Sequence, residues 1–554
     1  MKNKKKIREV FHSAGGEELS RIAESCKVVS DEKKEELYRR ITMNEEKRNI
    51  NTEYGDSVHG VEVRKRSNLK RGLSIAACGV LTVGAVGGAF IHHGLHNVSP
   101  ADEISEEVPE EIPEEVVDED IVLTMAVWSD DEDNNIYKEA VDRFNEEDNG
   151  YRIEFKAYED EYPGDIQVDA SDYENRTVYF DNLQAVQDKY NEDALSGAFD
   201  ITIDYASGGR NDFERLAAKG AFADLNTIMA MDEDFDKASL NSHVLSLFEH
   251  DGQLFYMPQG YFIQTRRGET KYAGDKENWT FDEMVEHWNQ MPEGSAVGGG
   301  GYTSRFYTYL ELIRDDMGRF FDYYTGEVNF NSEEFINYLR FIENFDAEPD
   351  GFTKPDYNYF APQLTSDAPI YGFGGYHAAV WPILPGSDEE HEWCLVGYPS
   401  ENGSGSYIAP LNELAVSAFS DEKEQYGAWL FIKELVSYDM QYRTPGEDVD
   451  AYPAEGFPIN NEAFEQIAAE ASAHEGEPNY GTASGIETDF GNVTAAEVEA
   501  CKELINSIDR SGDYLDDVMF NATNEELEPF FRGEITAEEC AANLQTRVES
   551  IINS

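Results

Sequence analysis

Cysteine, basic side chains, tryptophan and histidine are all scarce in this chain. Only five of its 554 residues are cysteine, at positions 26, 78, 394, 501 and 540, and none forms a CxxC pair. A thiolate zinc site therefore has almost nothing to build on. The 44 Lys+Arg face 112 Asp+Glu, a formal charge of −68. Phosphate binding needs cations that displace counterions, so nucleic acid is excluded as the main partner. HExxH, GxSxG and GxxxxGK[ST] are all missing, which removes the commonest zinc-hydrolase, α/β-hydrolase and nucleotide-binding signatures. Asp130–Asp133 superficially resembles the start of a calcium loop, but a loop from Asp131 needs Gly at its sixth place and has Ile136. No metal, no cofactor and no catalytic residue is expected. Carboxylate pairs for glycoside hydrolysis stay open, because so many acids guarantee chance pairs.

The charge is distributed unevenly. Residues 1–71 hold 18 basic and 13 acidic side chains, a net of +5, and the remaining 483 residues have a net of −73. Between them lies Gly72–Ile91, 20 residues without a charge. At about 1.5 Å per residue this run just crosses a hydrocarbon core of about 30 Å. Arg64, Lys65, Arg66, Lys70 and Arg71 precede it, and Asp102, Glu103, Glu106 and Glu107 follow. The positive-inside rule puts the N-terminus in the cytoplasm and the acidic part outside, on a single-pass protein of the cell membrane. Ile75–Gly79 looks like a lipobox, yet most of the apolar run follows Cys78, whereas a signal peptide places its apolar stretch before the cleavage site. Cys78 is therefore expected within the span, where Gly84 and Gly88 form a weak helix-pairing motif.

Residues 16–41 carry two short helix patterns, with Ser30 capping the second. The tail has too few apolar positions for its own core. It suits either a mobile segment on anionic lipid or a docking element for a cytoplasmic partner. After the span, VPEE-IPEE-VVDED reads as an extended acidic stalk, because Pro109 and Pro113 break helix and the glutamates repel.

From Ile121 strand and helix signals alternate. Ile121–Val127 is a short apolar run suited to a buried parallel strand. Asn135–Glu147 has helical spacing, Tyr151–Tyr158 alternates, and Asp200–Asp204 (DITID) leads to a helix at Asp212–Lys219. This order predicts an α/β sheet covered on both faces, with ligands at the carboxyl ends of its strands. Farther on, Gln253–Met257 and Leu414–Phe419 read as strands. Trp279–Met291 (opened by Thr280), Glu333–Phe345, Gln425–Val436, Asp517–Glu525 and Ala537–Ile552 read as helices. A Cys501–Cys540 bridge across the terminal helices is one possibility that spacing leaves open.

The feature that points to a ligand is a set of aromatics placed beside Gly or Asp in expected loops. Trp128 follows the first strand and precedes Asp130 and Asp131. Tyr205 ends DITIDY, Tyr261 and Phe262 follow Pro258-Gln259-Gly260, and Phe373, Tyr376 and Trp381 stand in YGFGGYHAAVWP. Flat aromatic faces stack on the CH faces of sugars, and carboxylates or amides bind the hydroxyls. Core packing is the ordinary alternative for each of these rings.

Several segments together resemble the family 1 solute-binding proteins of ABC importers, the oligosaccharide-binding group of the maltose-binding-protein type. They are VLTMAVWSDDED with AVDRFNEEDNGYRIEFKAY, SGAFDITIDYASGGRNDFERLAAKGAFADLN, DGQLFYMPQG, WTFDEMVEHWNQMPEG, YGAWLFIKELVS and EGFPINNEAFEQ. The resemblance runs from Ile121 to the C-terminus. It implies a bilobal periplasmic-binding-protein type 2 fold closing about a hinge, preceded here by a transmembrane helix and a short helical tail. The expected division is 1–71 tail, 72–94 transmembrane helix, 95–120 stalk and 121–554 solute-binding domain. Within the last, lobe 1 is about 121–262 and 408–455, lobe 2 about 263–407, and the C-terminal helices 456–554. The resemblance places Trp128, Asp130 and Asp131 in the first-strand loop that meets the sugar and Tyr205 in the aromatic place after the DITID strand. It puts Tyr261 and Phe262 past the crossover proline, and Phe373–Tyr376 in a second-lobe loop that presents an aromatic. Two departures stand out: family members in Gram-positive bacteria are usually lipoproteins, and Pro163–Asn191 is longer than the usual linker.

The resulting expectation is a non-enzymatic, membrane-tethered extracellular protein that binds an oligosaccharide and delivers it to ABC permease subunits. A sensor that reports ligand through the span to residues 16–41, with an anti-sigma or kinase partner, is the rival, since transport does not require a 71-residue cytoplasmic segment. The acidic field favours neutral over polyanionic glycans.

Overall fold

The computed structural model describes residues 120–130, 136–163, 173–207, 212–274, 278–298, 303–348, 361–380, 392–401, 404–442, 456–483, 486–512 and 515–553. The tail, the apolar run Gly72–Ile91, the stalk as far as Glu119, and the candidate residues Asp131 and Trp381 lie outside them. Among the described residues no helix is long and apolar enough to cross a membrane.

The fold is mixed α/β. Its strands are β1 (Ile121–Val127), β2 (Tyr151–Ala157), β3 (Ile201–Ile203), β4 (Tyr256–Gln264), β5 (Arg266–Glu269), β6 (Ser366–Asp367), β7 (Trp393–Leu395), β8 (Tyr407–Val416), β9 (Phe457–Pro458), β10 (Tyr480–Ala483) and β11 (Ile486–Asp489). A six-stranded sheet has the order β2-β1-β3-β8-β4-β9, and a three-stranded sheet the order β6-β5-β7. β1 runs parallel to β2, in step from Ile121 opposite Tyr151 to Val127 opposite Ala157, and parallel to β3. The helix Lys138–Glu146 makes the β1–β2 crossover and buries Ala140, Val141 and Phe144. β8 is antiparallel to both β3 and β4.

Two large hydrophobic cores result. The first is built on the six-stranded sheet and centres on Trp429, fully buried in the helix Glu422–Leu435. Asp421 and Glu424 close a capping box that starts this helix. The second core packs the helices Glu333–Ile342, Asp517–Phe531 and Ala537–Ile552 through Phe335, Met519, Leu527, Phe530 and Leu544. Thr280 caps the helix Phe281–Trp288 with Glu283 as its reciprocal partner, as the sequence led us to expect.

The chain passes between the cores along β4 into β5 and back from β7 into β8, and farther on Ile508 lies in the first core and Leu515 in the second. A third, small cluster of Phe262, Tyr398, Tyr407 and Ala409 sits on the crossing strands. Ala368–Ala379, inside the range 263–407 expected for lobe 2, packs on the first core. The terminal helices divide: Val498, Cys501 and Ile505 join the first core, and Met519 to Val548 the second.

Some expected boundaries moved for physical reasons. The strand read at Gln253–Met257 runs from Tyr256 to Gln264, straight through Pro258. Pairing with β9 involves only Gly260 and Tyr261, so the missing N–H of Pro258 falls where that side is still an edge. The stretch Pro163–Asn191 contains the start of a 24-residue helix, Tyr173–Ser196, rather than a linker. YGFGGYHAAV, read as a loop, forms the helix Phe373–Val380, because Phe373 is driven against Phe457 and Phe464 at 5.3 and 5.4 Å. The Cys501–Cys540 bridge is corrected: both thiols are free and buried, one in each core.

Candidate functional site

The carboxyl ends of β1 and β3 form a rim on the first lobe. Trp128 is half-buried against the first core, and its carbonyl accepts from Glu159 N at 2.8 Å. Ser129 Oγ donates to Glu159 Oε1 at 2.9 Å, which ties the β1 and β2 ends together, and Asp130 beside it is exposed. At the end of β3, Tyr205 is 37% exposed and donates its hydroxyl to Asn412 Oδ1 at 3.1 Å. Partial desolvation and the neighbouring Asp204 raise the Tyr205 phenol above its usual range, so it stays a neutral donor. Asn412 has φ 52°, a left-handed kink where β8 passes the rim.

The other candidate aromatics go different ways. Consecutive strand residues face opposite sides, so Tyr261 turns into the first core, fully buried and stacked on Phe457 at 5.4 Å. Phe262 faces the crossing-strand cluster. Phe373 is a core residue, and Tyr376 is half-buried on the same core. The structure therefore brings Trp128, Asp130 and Tyr205 to the rim and takes Tyr261 and Phe373 away from it. Tyr371 is the aromatic that takes an outward place: it is 44% exposed and stacks on Phe262 at 4.5 Å with 14° between planes. Its sequence signal was the following Gly372, whose φ of 133° suits few other residues.

A cavity of about 340 Å³ lies between the two lobes. Its floor includes Tyr256 of β4 and Tyr407 of β8. One wall carries Glu214, Glu249 and His250 from the first lobe, and the other carries Asp315–Asp316 and Phe321–Tyr324 from the second. Arg510 and Asp516 close it. Tyr324 reaches across to stack on His250 at 4.0 Å, with Phe255 behind at 5.9 Å. Gln187 Nε2 of the first lobe donates to Asp517 Oδ2 of the second at 2.7 Å. These contacts hold the lobes together directly. A second, more voluminous depression lies on the outer face of the first lobe, along Arg143, Lys433 and Tyr442.

The chain is similar in outline to an ABC substrate-binding protein from Listeria monocytogenes in complex with cycloalternan, at 16% identity and TM-score 0.42, covering 78% of this chain and 100% of that one. It is similar to a cyclic alpha-maltosyl-1,6-maltose binding protein from Arthrobacter globiformis, at 15% identity and TM-score 0.43, covering 78% and 100%. It is also similar to a periplasmic oligogalacturonide binding protein from Yersinia enterocolitica, at 13% identity and TM-score 0.47, covering 78% and 99%. No family model matches the chain, and no curated protein does.

The charges around the cavity are mostly but not wholly balanced. Asp316 pairs with Arg510 at 2.6 Å and Arg319 at 3.2 Å, and Asp315 with Arg314 at 2.5 Å. Arg215 lies 2.5 Å from Asp212 and 4.0 Å from Asp516, which also accepts from the Tyr323 hydroxyl. Burial and Asp212 still raise the Asp516 carboxyl above its usual range, against the pull of Arg215. Glu214 has no cationic partner among the described residues. Desolvation, then Asp322 and Asp516, raise its carboxyl above the usual range, although the side chain still reaches solvent. Among the described residues no group of three or more His, Cys, Asp or Glu is arranged to hold a metal ion. What the site offers is rings, hydroxyls and carboxylates facing each other across a gap.

Proposed function

We propose that this chain binds an oligosaccharide between its two lobes, without catalysis, and passes it to an ABC permease while tethered to the membrane through residues 72–94. The observation that carries this reading is a cavity walled by both lobes, with the rings of Tyr256, Tyr323, Tyr324 and Tyr407 and the carboxylates of Glu214, Glu249, Asp315, Asp316, Asp322 and Asp516 in its lining. Such a cavity can open to admit a ligand and enclose it on closing. Rings stack on pyranose faces while carboxylates and phenols take the hydroxyls. The segment resemblance beginning at Ile121 supports the same reading, and the charge asymmetry around Gly72–Ile91 supports the tether. The length and basic character of residues 1–71 favour a second reading, in which the same closure is signalled to a cytoplasmic partner.

The test is a titration of the full chain with neutral and acidic oligosaccharides, followed by tryptophan fluorescence. Saturable binding of a neutral glycan, weakened about tenfold or more by Trp128→Ala and by Tyr205→Ala, is expected. Binding of a glycan that neither substitution alters would move the site away from the ends of β1 and β3.

A further inference from the structure

Two guanidiniums, Arg319 and Arg510, stand among the carboxylates of the interlobe cavity. Acids hold both of them. Asp316 lies 2.6 Å from Arg510 Nη1 and 3.2 Å from Arg319 Nε, and Glu334 lies 2.9 Å from Arg319 Nη2. Two cations and two anions therefore cancel. Arg510 is fixed further by the chain around it. Its Nε donates to the Ser404 carbonyl at 3.3 Å, and its guanidinium lies over the Tyr407 ring, 4.9 Å from the centroid. Its own carbonyl accepts from Ile408 N at 3.2 Å, which fastens residue 510 to β8. Held by Asp316, Ser404 and Tyr407, the planar fork keeps one geometry before any ligand arrives. One corner of it is unused. Nη2 is buried and makes no hydrogen bond among the described residues, although the side chain as a whole is 24% exposed and lines the cavity. A buried N–H without an acceptor is costly, so an acceptor supplied there is favoured.

The surrounding charges decide which acceptor suits it. Of the other carboxylates in the lining, Glu249 pairs with Lys237, Asp315 with Arg314, and Asp516 lies near Arg215. Glu214 and Asp322 have no cation within ion-pair distance among the described residues. The lining is therefore left negative, and Arg510 cannot offset this, because Asp316 already takes up its charge. An incoming carboxylate is repelled, whereas a hydroxyl or ether oxygen is not.

We propose that Arg510 anchors the ligand in this cavity by donating from Nη2 to an uncharged sugar oxygen, and that Asp316, by cancelling the guanidinium charge, makes the site select neutral sugars over uronates. This rests on the oligosaccharide reading above and adds to it the donor and the source of the selectivity.

The experiment is calorimetric titration of the full chain with maltotetraose, cellotetraose and galactotetraose. Each is run beside its uronate, oxidised at the primary hydroxyls, and the methyl ester of that uronate. A probe that binds the parent should bind as neutral sugar or ester about tenfold or more tightly than as uronate. Among its monodeoxy forms, loss of one particular hydroxyl should cost about tenfold. Arg510→Lys keeps a charge for Asp316 but not the fork, and in it that same loss should cost little. A merely structural role for Arg510 would weaken all these ligands together and leave the deoxy pattern intact. Asp316→Asn releases the guanidinium charge, so the preference for ester over uronate should shrink or reverse. Equal binding of ester and uronate by the parent overturns the proposal, as does an unchanged deoxy pattern in Arg510→Lys. If Arg510→Lys does not fold, Asp316→Asn decides, and an unchanged ester-to-uronate ratio there overturns it. Failure of every probe to bind the parent defeats the oligosaccharide reading itself. Neutral binding with either negative result defeats the Arg510 assignment alone.

Discussion

Tyr324 is where the closed arrangement is most exposed to a single substitution. Its ring leaves the second lobe and lies flat on His250 at 4.0 Å, 13° from parallel, with Phe255 as a second partner. Each such aromatic pair contributes about 0.5–1.5 kcal/mol beyond area, so two contribute about 1–3 kcal/mol, before any loss of buried ring surface. On the proposed opening of the lobes all of it would be lost, because the ring would return to water. Tyr324→Ala should therefore shift the closed-to-open equilibrium by about 2 kcal/mol, roughly thirtyfold, while melting of the two cores changes little. Tyr324→Phe keeps both stacks and should resemble the parent. The assay is the interlobe distance distribution at fixed pH, with calorimetry alongside. A Tyr324→Ala chain whose closed fraction matches the parent within twofold would refute the view that this ring latches the lobes.

Three further outcomes test the framework that holds the cleft. Gly427→Ala should destabilise by about 1–3 kcal/mol in urea melts, although Ala is normally the better helix residue, because the added methyl would lie 2.3 Å from the Tyr151 ring. Asp232 is buried under Trp429 Nε1 at 3.1 Å and Lys433 Nζ at 2.7 Å. Burial alone would raise its carboxyl, but these donors hold it below the ordinary range, so its stabilisation is present at neutral pH and lost as pH falls through that lowered value. Asp232→Ala should cost about 2–4 kcal/mol at pH 7 and progressively less as pH falls below the ordinary carboxylate range. Cys501 and Cys540 should resist alkylation in the folded chain, since burial pushes the Cys501 thiol up to about 12 and raises Cys540 likewise. Reductant should leave the melting temperature unchanged, and a drop on reduction would reinstate the disulfide.

What could be read from the sequence was mostly local. The apolar run of β1, the Thr280 cap and the helix Ala537–Ile552 follow from periodicity and end signals that neighbouring residues carry. The places of Trp128 and Tyr205 just past β1 and β3 were legible for the same reason, because each follows a recognisable strand. The cavity was not. Glu214, Asp322 and Asp516 lie far apart along the chain and line one cavity only through the tertiary fold, and nothing in their local sequence marks them among 112 acids. Tyr261 and Phe262 could not be told apart until the pleat of β4 assigned one to each face. Phe373 looked like a loop residue beside three glycines, and only packing against Phe457 and Phe464 makes it helical core. Tyr371, two residues earlier, took the outward place instead.

The central claim is that a sugar is enclosed between the lobes, and ligand-dependent stability measures this most directly. A neutral oligosaccharide at about 100 times its Kd should add about 2.7 kcal/mol to the folded full chain and raise its melting temperature in step with concentration. No stabilisation by any neutral or acidic glycan across a broad panel, in a chain that melts cooperatively, would contradict the account.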